Sequence, residues 1–353
     1  MSNLSVLESI DVTVVMPTLN AEKTLQSSLA SLKCQSYPQE KIHILIVDGG
    51  STDSTKRIAQ KYGCSILHNK KIQQEYGKQI GIQASESRYL MFLDADEVLE
   101  NKDDLKRKID AFVETDVPFL WSSGYKKPPD APFINEYINL FSDPFAFFMY
   151  RVSADYQLYI PSMQRRYPRY SENSQRLIFR FSELDQLPLL DLAAGAMIDQ
   201  QKLQMVHGLN ISKERMIPTC FQQLMRHDPR LAIVKDCPVI HYSAETFQTY
   251  IYKLCWRVIA NIHYPSIPGT GFTNRATLQK SRRHLKKYLF IPYALTILPA
   301  TIDACVMAIR TRKIIAFLQI PLSFLTAILI LYHTLLRSMG IRPALPTYGK
   351  KTD

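Results

Sequence analysis

Apolar positions in the first hundred residues fall in short runs separated by stretches of helical spacing. Val12-Thr13-Val14-Val15-Met16 predicts a first strand, which Pro17-Thr18-Leu19-Asn20 closes. Leu25, Leu29 and Leu32 then share one face of a helix predicted over residues 21–34. Ile42 to Val47 predicts a second strand. It ends in Asp48-Gly49-Gly50-Ser51-Thr52-Asp53, and a second helix is expected to run to Tyr62. Residues 64–67 read as a short third strand, 75–84 as a helix, and Tyr89-Leu90-Met91-Phe92-Leu93 as a buried fourth strand. Strands alternating with helices predict an α/β, Rossmann-like, mostly parallel sheet covered on both faces. Ligands of such sheets bind at the carboxyl ends of the strands. Asn20, Asp48 and Asp94 all lie at such ends, so one cleft is expected to gather them.

Beyond residue 100 the pattern weakens. Residues 118–180 are rich in Tyr, Phe and Pro, include the basic stretch Arg165-Arg166-Tyr167-Pro168-Arg169, and suit either an acceptor-binding insertion or aromatic-packed loops. Residues 231–234 and 238–241 look like late strands, and 246–262 like an aromatic, basic helix lying along a membrane interface. Two apolar segments follow, 289–309 and 314–336, each about long enough to cross the ~30 Å hydrocarbon core. The first contains Pro292, Pro299 and Asp303, and a carboxylate is costly in lipid. A hairpin of two spans and a re-entrant or in-plane first segment both remain open.

Charge sharpens this picture. The chain of 353 residues has a formal net charge of +11. From Ala276 onward twelve Lys or Arg face only Asp303 and Asp353, so nearly all the excess flanks apolar segments. That distribution points to an anionic membrane surface and away from nucleic acid. Six scattered cysteines without a Cys-x-x-Cys pair argue against a zinc site or a disulfide framework and for a reducing compartment. Residues 1–11 lack an apolar core, so no signal peptide is expected.

The candidate chemistry begins at Asp94-Ala95-Asp96. Two carboxylates at i and i+2 on an extended chain point the same way, and ionised carboxylates away from water need a partner. A hard divalent cation such as Mn²⁺ or Mg²⁺ is one resolution, and a polar turn is the other. Asp48 offers a carboxylate to an imide or a ribose hydroxyl. Gly49 and Gly50 permit a tight turn. Asp53 suits either ligand contact or the start of a helix. Lys78 is either a point charge for a phosphate or a solvated helix lysine.

Val-Val-Met-Pro-Thr-Leu-Asn (14–20), Val-Asp-Gly-Gly-Ser-Thr-Asp (47–53) and Phe-Leu-Asp-Ala-Asp (92–96), in that order and each closing a predicted strand, resemble the family-two glycosyltransferases of the GT-A fold. The similarity covers about the first 100 residues well and continues more faintly to His241. It implies a nucleotide-diphosphate sugar donor (a UDP- or GDP-sugar) held by Pro17, Thr18, Asn20, Glu22, Asp48, Gly50, Asp53, Lys78 and Asp94. It also implies a cation on Asp94 and Asp96 that neutralises charge on the leaving diphosphate, with His241 as a third ligand, a diphosphate contact or a packed histidine. Family members often carry Arg-Asn where this chain has Lys78-Gln79. An inverting transferase needs a base for the acceptor hydroxyl. Counting back from His241 to the usual acidic pair reaches Glu214 beside Arg215, with Asp199 and Asp228 as fallbacks. Asp96 is grouped with Glu214 as catalytic.

The expected organisation is a catalytic domain over 1–245 (nucleotide-sugar half 1–100, acceptor half 118–245), an interfacial linker over 246–288, membrane helices over 289–336 and a basic tail over 337–353. The expected function is a membrane-associated, inverting, metal-dependent glycosyltransferase at the cytoplasmic face, acting on a lipid-linked or surface-glycan acceptor. The changes at Lys78-Gln79 and Arg215 favour the alternative of a non-catalytic nucleotide-sugar-binding or assembly protein. A nucleotidyltransferase fits less well, because Pro17-Thr18-Leu19-Asn20 is not a Gly-rich basic loop. A processive polysaccharide synthase lacks support without a Gln-x-x-Arg-Trp motif.

Overall fold

The computed structural model describes residues 11–182, 194–207, 224–225, 227–265 and 285–346. Its strands are β1 Val12–Thr18, β2 Ile42–Asp48, β3 Ser65–His68, β4 Tyr89–Phe92, β5 Glu97–Leu99, β6 Phe119–Trp121, β7 Tyr125–Lys126, β8 Tyr170–Glu172, β9 Arg176–Arg180, β10 Ala196–Asp199, β11 Arg230–Val234 and β12 Val239–His241. The α-helices are α1 Leu25–Lys33, α2 Thr55–Lys61, α3 Gln74–Ala84, α4 Asp104–Thr115, α5 Phe133–Phe141, α6 Pro144–Tyr150, α7 Tyr159–Arg166, α8 Gln200–His207, α9 Phe247–His263, α10 Phe290–Leu295, α11 Leu298–Thr311 and α12 Gln319–Ser338. The chain divides into two compact units.

The first unit comprises Met1–Lys126, Tyr167–Asp185 and Leu189–His241. Its main sheet has the order β3-β2-β1-β4-β10-β6-β11-β9-β8. The pairs β3–β2, β2–β1 and β1–β4 are parallel, as the alternating pattern predicts. β10 then enters antiparallel to both β4 and β6, β11 is again parallel to β6, and β9 and β8 reverse direction in turn. Seven of the nine strands therefore share one direction, with β10 and β9 opposed. Register aligns the strand ends that matter: Thr18 stands opposite Asp48, and Asp48 opposite His68. A second sheet, β5-β12-β7, brings Glu97 opposite His241. The core joins the apolar strand residues to α1 and α4 through Leu25, Leu29, Leu32, Leu105, Ile109 and Phe112. Helix α3 packs closely on β1: a Cβ on Gly81 would stand 2.2 Å from Val15 Cγ1, so only glycine admits this approach. The first helix starts at Leu25 instead of residue 21, because Ala21 to Thr24 form a turn whose carbonyls receive the first amides.

The second unit comprises Lys127–Arg166, Gln186–Pro188 and Tyr242–Asp353. Its described regular structure is helical, and the tract expected to be irregular supplies three of its helices, α5 to α7. Its core gathers Ile134, Tyr137, Leu140, Phe141, Tyr250, Leu254, Met307 and Leu322. The second apolar segment forms a helical run over Ile314–Ser338 of mean hydropathy 2.5, long and apolar enough to cross a membrane. The first is not straight: Leu285–Leu295 and Leu298–Thr311 meet at 86°, with Ile297 at φ 61° and Pro299 in the first turn of α11. Asp303 within it is ion-paired to Arg151 and accepts a 2.7 Å hydrogen bond from the Tyr293 hydroxyl.

Candidate active site

The site is built at the carboxyl ends of β1, β2 and β4. Asp48 closes β2 with its side chain buried. Its Oδ2 accepts the Gly50 and Ser51 amides, both at 2.9 Å, and its Oδ1 accepts the Thr18 hydroxyl at 3.1 Å and the Ser51 hydroxyl. Burial alone would raise its pKa, but these hydrogen bonds outweigh it and hold the carboxyl below the ordinary carboxylate value. Asp48 thus first shapes its own loop and ties it to β1. Gly50 is needed there, with φ at +97°. Asn20, also left-handed at φ 51°, clasps the same loop: its amide donates to Ser51 Oγ at 2.8 Å and its Oδ1 accepts the Thr52 amide at 2.9 Å.

Glu22 and Asp53 form a reciprocal pair. The Glu22 amide donates to Asp53 Oδ2 at 3.1 Å, and Glu22 Oε2 accepts the Ser54 amide at 2.9 Å. Asp53 Oδ1 also takes the Thr55 amide, which starts α2. Of the two readings of Asp53, the helix start is the one its hydrogen bonds express.

Lys78 is not a solvated lysine. It is 1% exposed, and its Nζ stands 3.4 Å from Asp94 Oδ1. Burial works against its charge, yet Asp94, Glu75 and Glu97 together outweigh burial and favour the ammonium. Asp94 Oδ1 is shielded from solvent and accepts no hydrogen bond, so its contact with Lys78 is electrostatic only.

After Asp96 comes a residue that the sequence reading passed over. Glu97 is fully buried and accepts from the Asp94 amide at 3.0 Å, the Tyr125 hydroxyl at 2.6 Å and the Ala194 amide at 2.8 and 2.9 Å. It therefore fixes the turn that presents both aspartates. Burial, then Asp94, push its pKa up to about 7, partly opposed by His241. Its acidity is visible in the sequence, but its partners at 125 and 194 are not local to it.

His241, at the end of β12, places Nε2 3.6 Å from Asp96 Oδ2, with the Tyr125 ring 4.5 Å away. Burial opposes its protonation, but Asp96, followed by Glu97 and Asp94, outweighs burial and holds its pKa above the ordinary imidazole value. Its Nδ1 is buried without a hydrogen bond. Asp94, Asp96 and His241 are thus brought to one edge. The donor types suit a hard divalent cation, and the unsatisfied Asp94 Oδ1 is the atom such an ion would fit. Among the described residues, however, no group of three or more His, Cys, Asp or Glu side chains is arranged closely enough to hold one.

Pro17 lies in β1 beside the site, where a Cβ on Gly77 would stand 3.0 Å from the Pro17 Cβ. Glu214 and Arg215 lie outside the described residues. The fallback bases are engaged elsewhere. Asp199 stands opposite Tyr89, at the entry to β4 and so at the other edge of the sheet from Asp94. It accepts the Gln201 and Lys202 amides at the start of α8. Asp228 is paired with Arg230 at 2.6 Å.

Residues 13–166 match the sequence model described as glycosyl transferase family 2. The glycosyltransferase AglE of Haloferax volcanii is 35% identical over 91 residues, 24% of this chain and 30% of the relative. The poly(ribitol-phosphate) β-N-acetylglucosaminyltransferase TarS of Staphylococcus aureus is 30% identical over 99 residues, 26% of this chain and 17% of the relative. The chain thus spans less than a third of the length of these two relatives. The crystal structure of S. aureus TarS 1–349 superposes with a TM-score of 0.45 at 13% identity, covering 94% of this chain and 92% of that one. The family model covers the strand-end loops and both aspartates, and the fold is mixed α/β with a large, mostly parallel sheet. Over residues 13–166 this chain is similar to glycosyl transferase family 2.

Proposed function

We propose that the protein is a membrane-associated, inverting glycosyltransferase that moves a sugar from a nucleotide-diphosphate sugar, UDP- or GDP-linked, to a lipid-linked or surface-glycan acceptor. The observation that carries this reading is that three strand-end loops lie at one edge of adjacent parallel strands: Thr18 and Asn20 are bonded to the Asp48–Thr52 loop, and Asp94 at the end of β4 faces Lys78 of α3. Similar proteins include a UDP-glucose-dependent diphosphoundecaprenol glucosyltransferase of Escherichia coli and a dolichyl-phosphate-sugar glucuronosyltransferase of Methanococcus voltae. Those names support an envelope glycan acceptor.

In this reading the Thr18–Asn20 and Asp48–Asp53 loops cradle the nucleoside, with Pro17 and Glu22 bracing them. Lys78 supplies a buried positive charge toward the diphosphate. Asp94 and Asp96 would hold Mn²⁺ or Mg²⁺, which when bound offsets charge developing on the leaving diphosphate. Glu97 keeps those carboxylates aimed, and His241 holds Asp96 in place. The acceptor base is assigned to Glu214, and an acceptor that is itself a phosphate needs none. The Ile314–Ser338 helix and the basic residues around it support attachment at the cytoplasmic face, because Lys and Arg favour that side. In domain terms, residues 1–245 would be catalytic, 246–288 interfacial, 289–336 embedded in the membrane and 337–353 a basic tail.

The test is release of nucleoside diphosphate from a panel of UDP- and GDP-sugars by the purified protein with Mn²⁺. No release from any donor would count against the reading. A second reading, a sugar-nucleotide-binding protein without turnover, is favoured by one observation: Asp94 is already faced by Lys78, and no three-ligand cluster is formed among the described residues. Calorimetric binding of donor with no product would select it.

A further inference from the structure

Helix α4 directs one lysine inward. Lys108 is fully buried, and burial holds its pKa below the ordinary lysine value. Its Nζ donates to Ser122 Oγ at 2.6 Å and to the Gly195 carbonyl at 2.6 Å. Both acceptors are neutral, so an ammonium kept from water here is costly. A methionine would fill a similar length of core without that cost. What Lys108 adds is therefore a pair of hydrogen bonds, and both lead to one place. The Ser122 hydroxyl donates onward to the Ala194 carbonyl at 2.6 Å. The carbonyls of Ala194 and Gly195 are thus held by one lysine–serine pair. These two residues are left-handed in succession, at φ 57° and 61°. Alanine resists that conformation, so the turn needs fastening from outside. A Cβ on Gly195 would stand 2.5 Å from Lys108 Nζ, so glycine both permits the backbone and makes room for the lysine. With its carbonyl held, Ala194 aims its amide at Glu97 Oε1 and Oε2, at 2.9 and 2.8 Å. Glu97 in turn accepts the Asp94 amide at 3.0 Å. A continuous line of hydrogen bonds runs from Lys108 to the turn that presents Asp94 and Asp96.

We propose that Lys108 is a positioning residue of the candidate active site: with Ser122 it fastens the left-handed Ala194-Gly195 turn, and that turn holds Glu97 where it sets the geometry of Asp94 and Asp96. Lys108 touches neither aspartate and acts through Ala194 and Glu97 alone. Its effect on sugar transfer rests on the proposed function, whereas its hold on the 94–97 turn does not.

The experiment compares the full-length parent with Lys108→Met and Ile109→Ala. Ile109 is the next residue of α4 and is buried in the same core, but it takes no part in the line of hydrogen bonds. Its truncation reports what simple loosening of the core does. Thermal unfolding reports whether each variant is folded. Hydrogen exchange followed by mass spectrometry then reads two segments, residues 93–99 and 12–18. Lys108→Met is expected to speed exchange over 93–99 at least about tenfold, the scale of one hydrogen bond to a charged group, and over 12–18 by less than about twofold. In donor turnover, kcat is expected to fall at least about tenfold with the donor KM within about threefold, because the reacting groups are misaligned while the nucleoside loops are intact. If Lys108→Met does not fold, Ser122→Ala replaces it, with about a threefold rise in exchange over 93–99 expected from the loss of the Ala194 carbonyl bond. Unchanged exchange over 93–99 in the folded variant, or an equal rise there in Ile109→Ala, would overturn the proposal. Faster exchange with an unchanged kcat would keep the hold on the turn and overturn its part in transfer. A parent that turns over no donor would overturn the proposed function, and the exchange result would still decide the role of Lys108 in the turn.

Discussion

Glu97 and Asp303 are both carboxylates removed from water, and the two units satisfy them by different means. Glu97 sits in the sheet unit among neutral donors: two backbone amides and one phenol, from residues 94, 194 and 125. Asp303 sits in the helical unit, ion-paired to Arg151 and bonded to Tyr293. The first arrangement fixes a turn with neutral donors, while the neighbouring Asp94 and Asp96 are faced by Lys78 and His241. The second cancels charge and lets a carboxylate stand within an apolar segment that would otherwise exclude it. Lys313 between Asp155 and Glu136 follows the same rule in that unit. Asp94 and Asp96, faced by Lys78 and His241 across 3.4 and 3.6 Å, are held less tightly than Asp303, and that looser pairing leaves them open to a ligand.

The comparison is tested most severely at Glu97. Glu97→Ala strands two amides and a hydroxyl in a dry interior, at about 1–3 kcal/mol for each unsatisfied group. Thermal unfolding should show a loss of at least about 3 kcal/mol, and a drop under 1 kcal/mol would mean that the turn holds without it. Gly81→Ala is expected to cost about 1–3 kcal/mol by forcing α3 off Val15, read the same way. Asp303→Ala is expected to cost less, about 1 kcal/mol, because Arg151 is 35% exposed and can turn to water. A loss as large as that at Glu97 would erase the distinction between the units.

The smallest effect concerns pH. Asp48 has a folded pKa held below the ordinary 3.8, so it contributes stability at pH values above 3.8 that is lost as pH falls through the folded value. Asp48→Asn should therefore be less stable than the parent near neutrality, with the gap narrowing below about pH 4. A gap that stays constant with pH would show that the charge of Asp48 contributes nothing to stability.

Much of the sheet unit was legible because its signals are local. Strands β1 to β4 are continuous apolar runs, and each strand-end motif lies within seven residues of the strand it closes. The reading failed where a residue depends on a distant partner. β10 enters the sheet between β4 and β6 from more than 70 residues downstream of β6, with only four residues and no motif. Glu97 reads as a third acid in an acidic turn until Tyr125 and Ala194 are placed beside it. Lys78 has the sequence of a surface lysine and the surroundings of a buried one. Asp303 makes the first apolar segment look unfit for a membrane until Arg151, 152 residues earlier, is seen to pair with it. Helix α12 needed no partner to be read, since its length and hydropathy are its own.

The most direct test of the central claim is donor turnover by the parent and by Asp94→Asn and Asp96→Asn, each checked for folding. Nucleoside diphosphate release is measured in the presence of Mn²⁺ and after its removal by chelation. The account predicts release by the parent that falls at least about 100-fold in either variant and on chelation, with melting temperatures unchanged within a few degrees. Release by folded Asp94→Asn and Asp96→Asn proteins at the parental rate would contradict it.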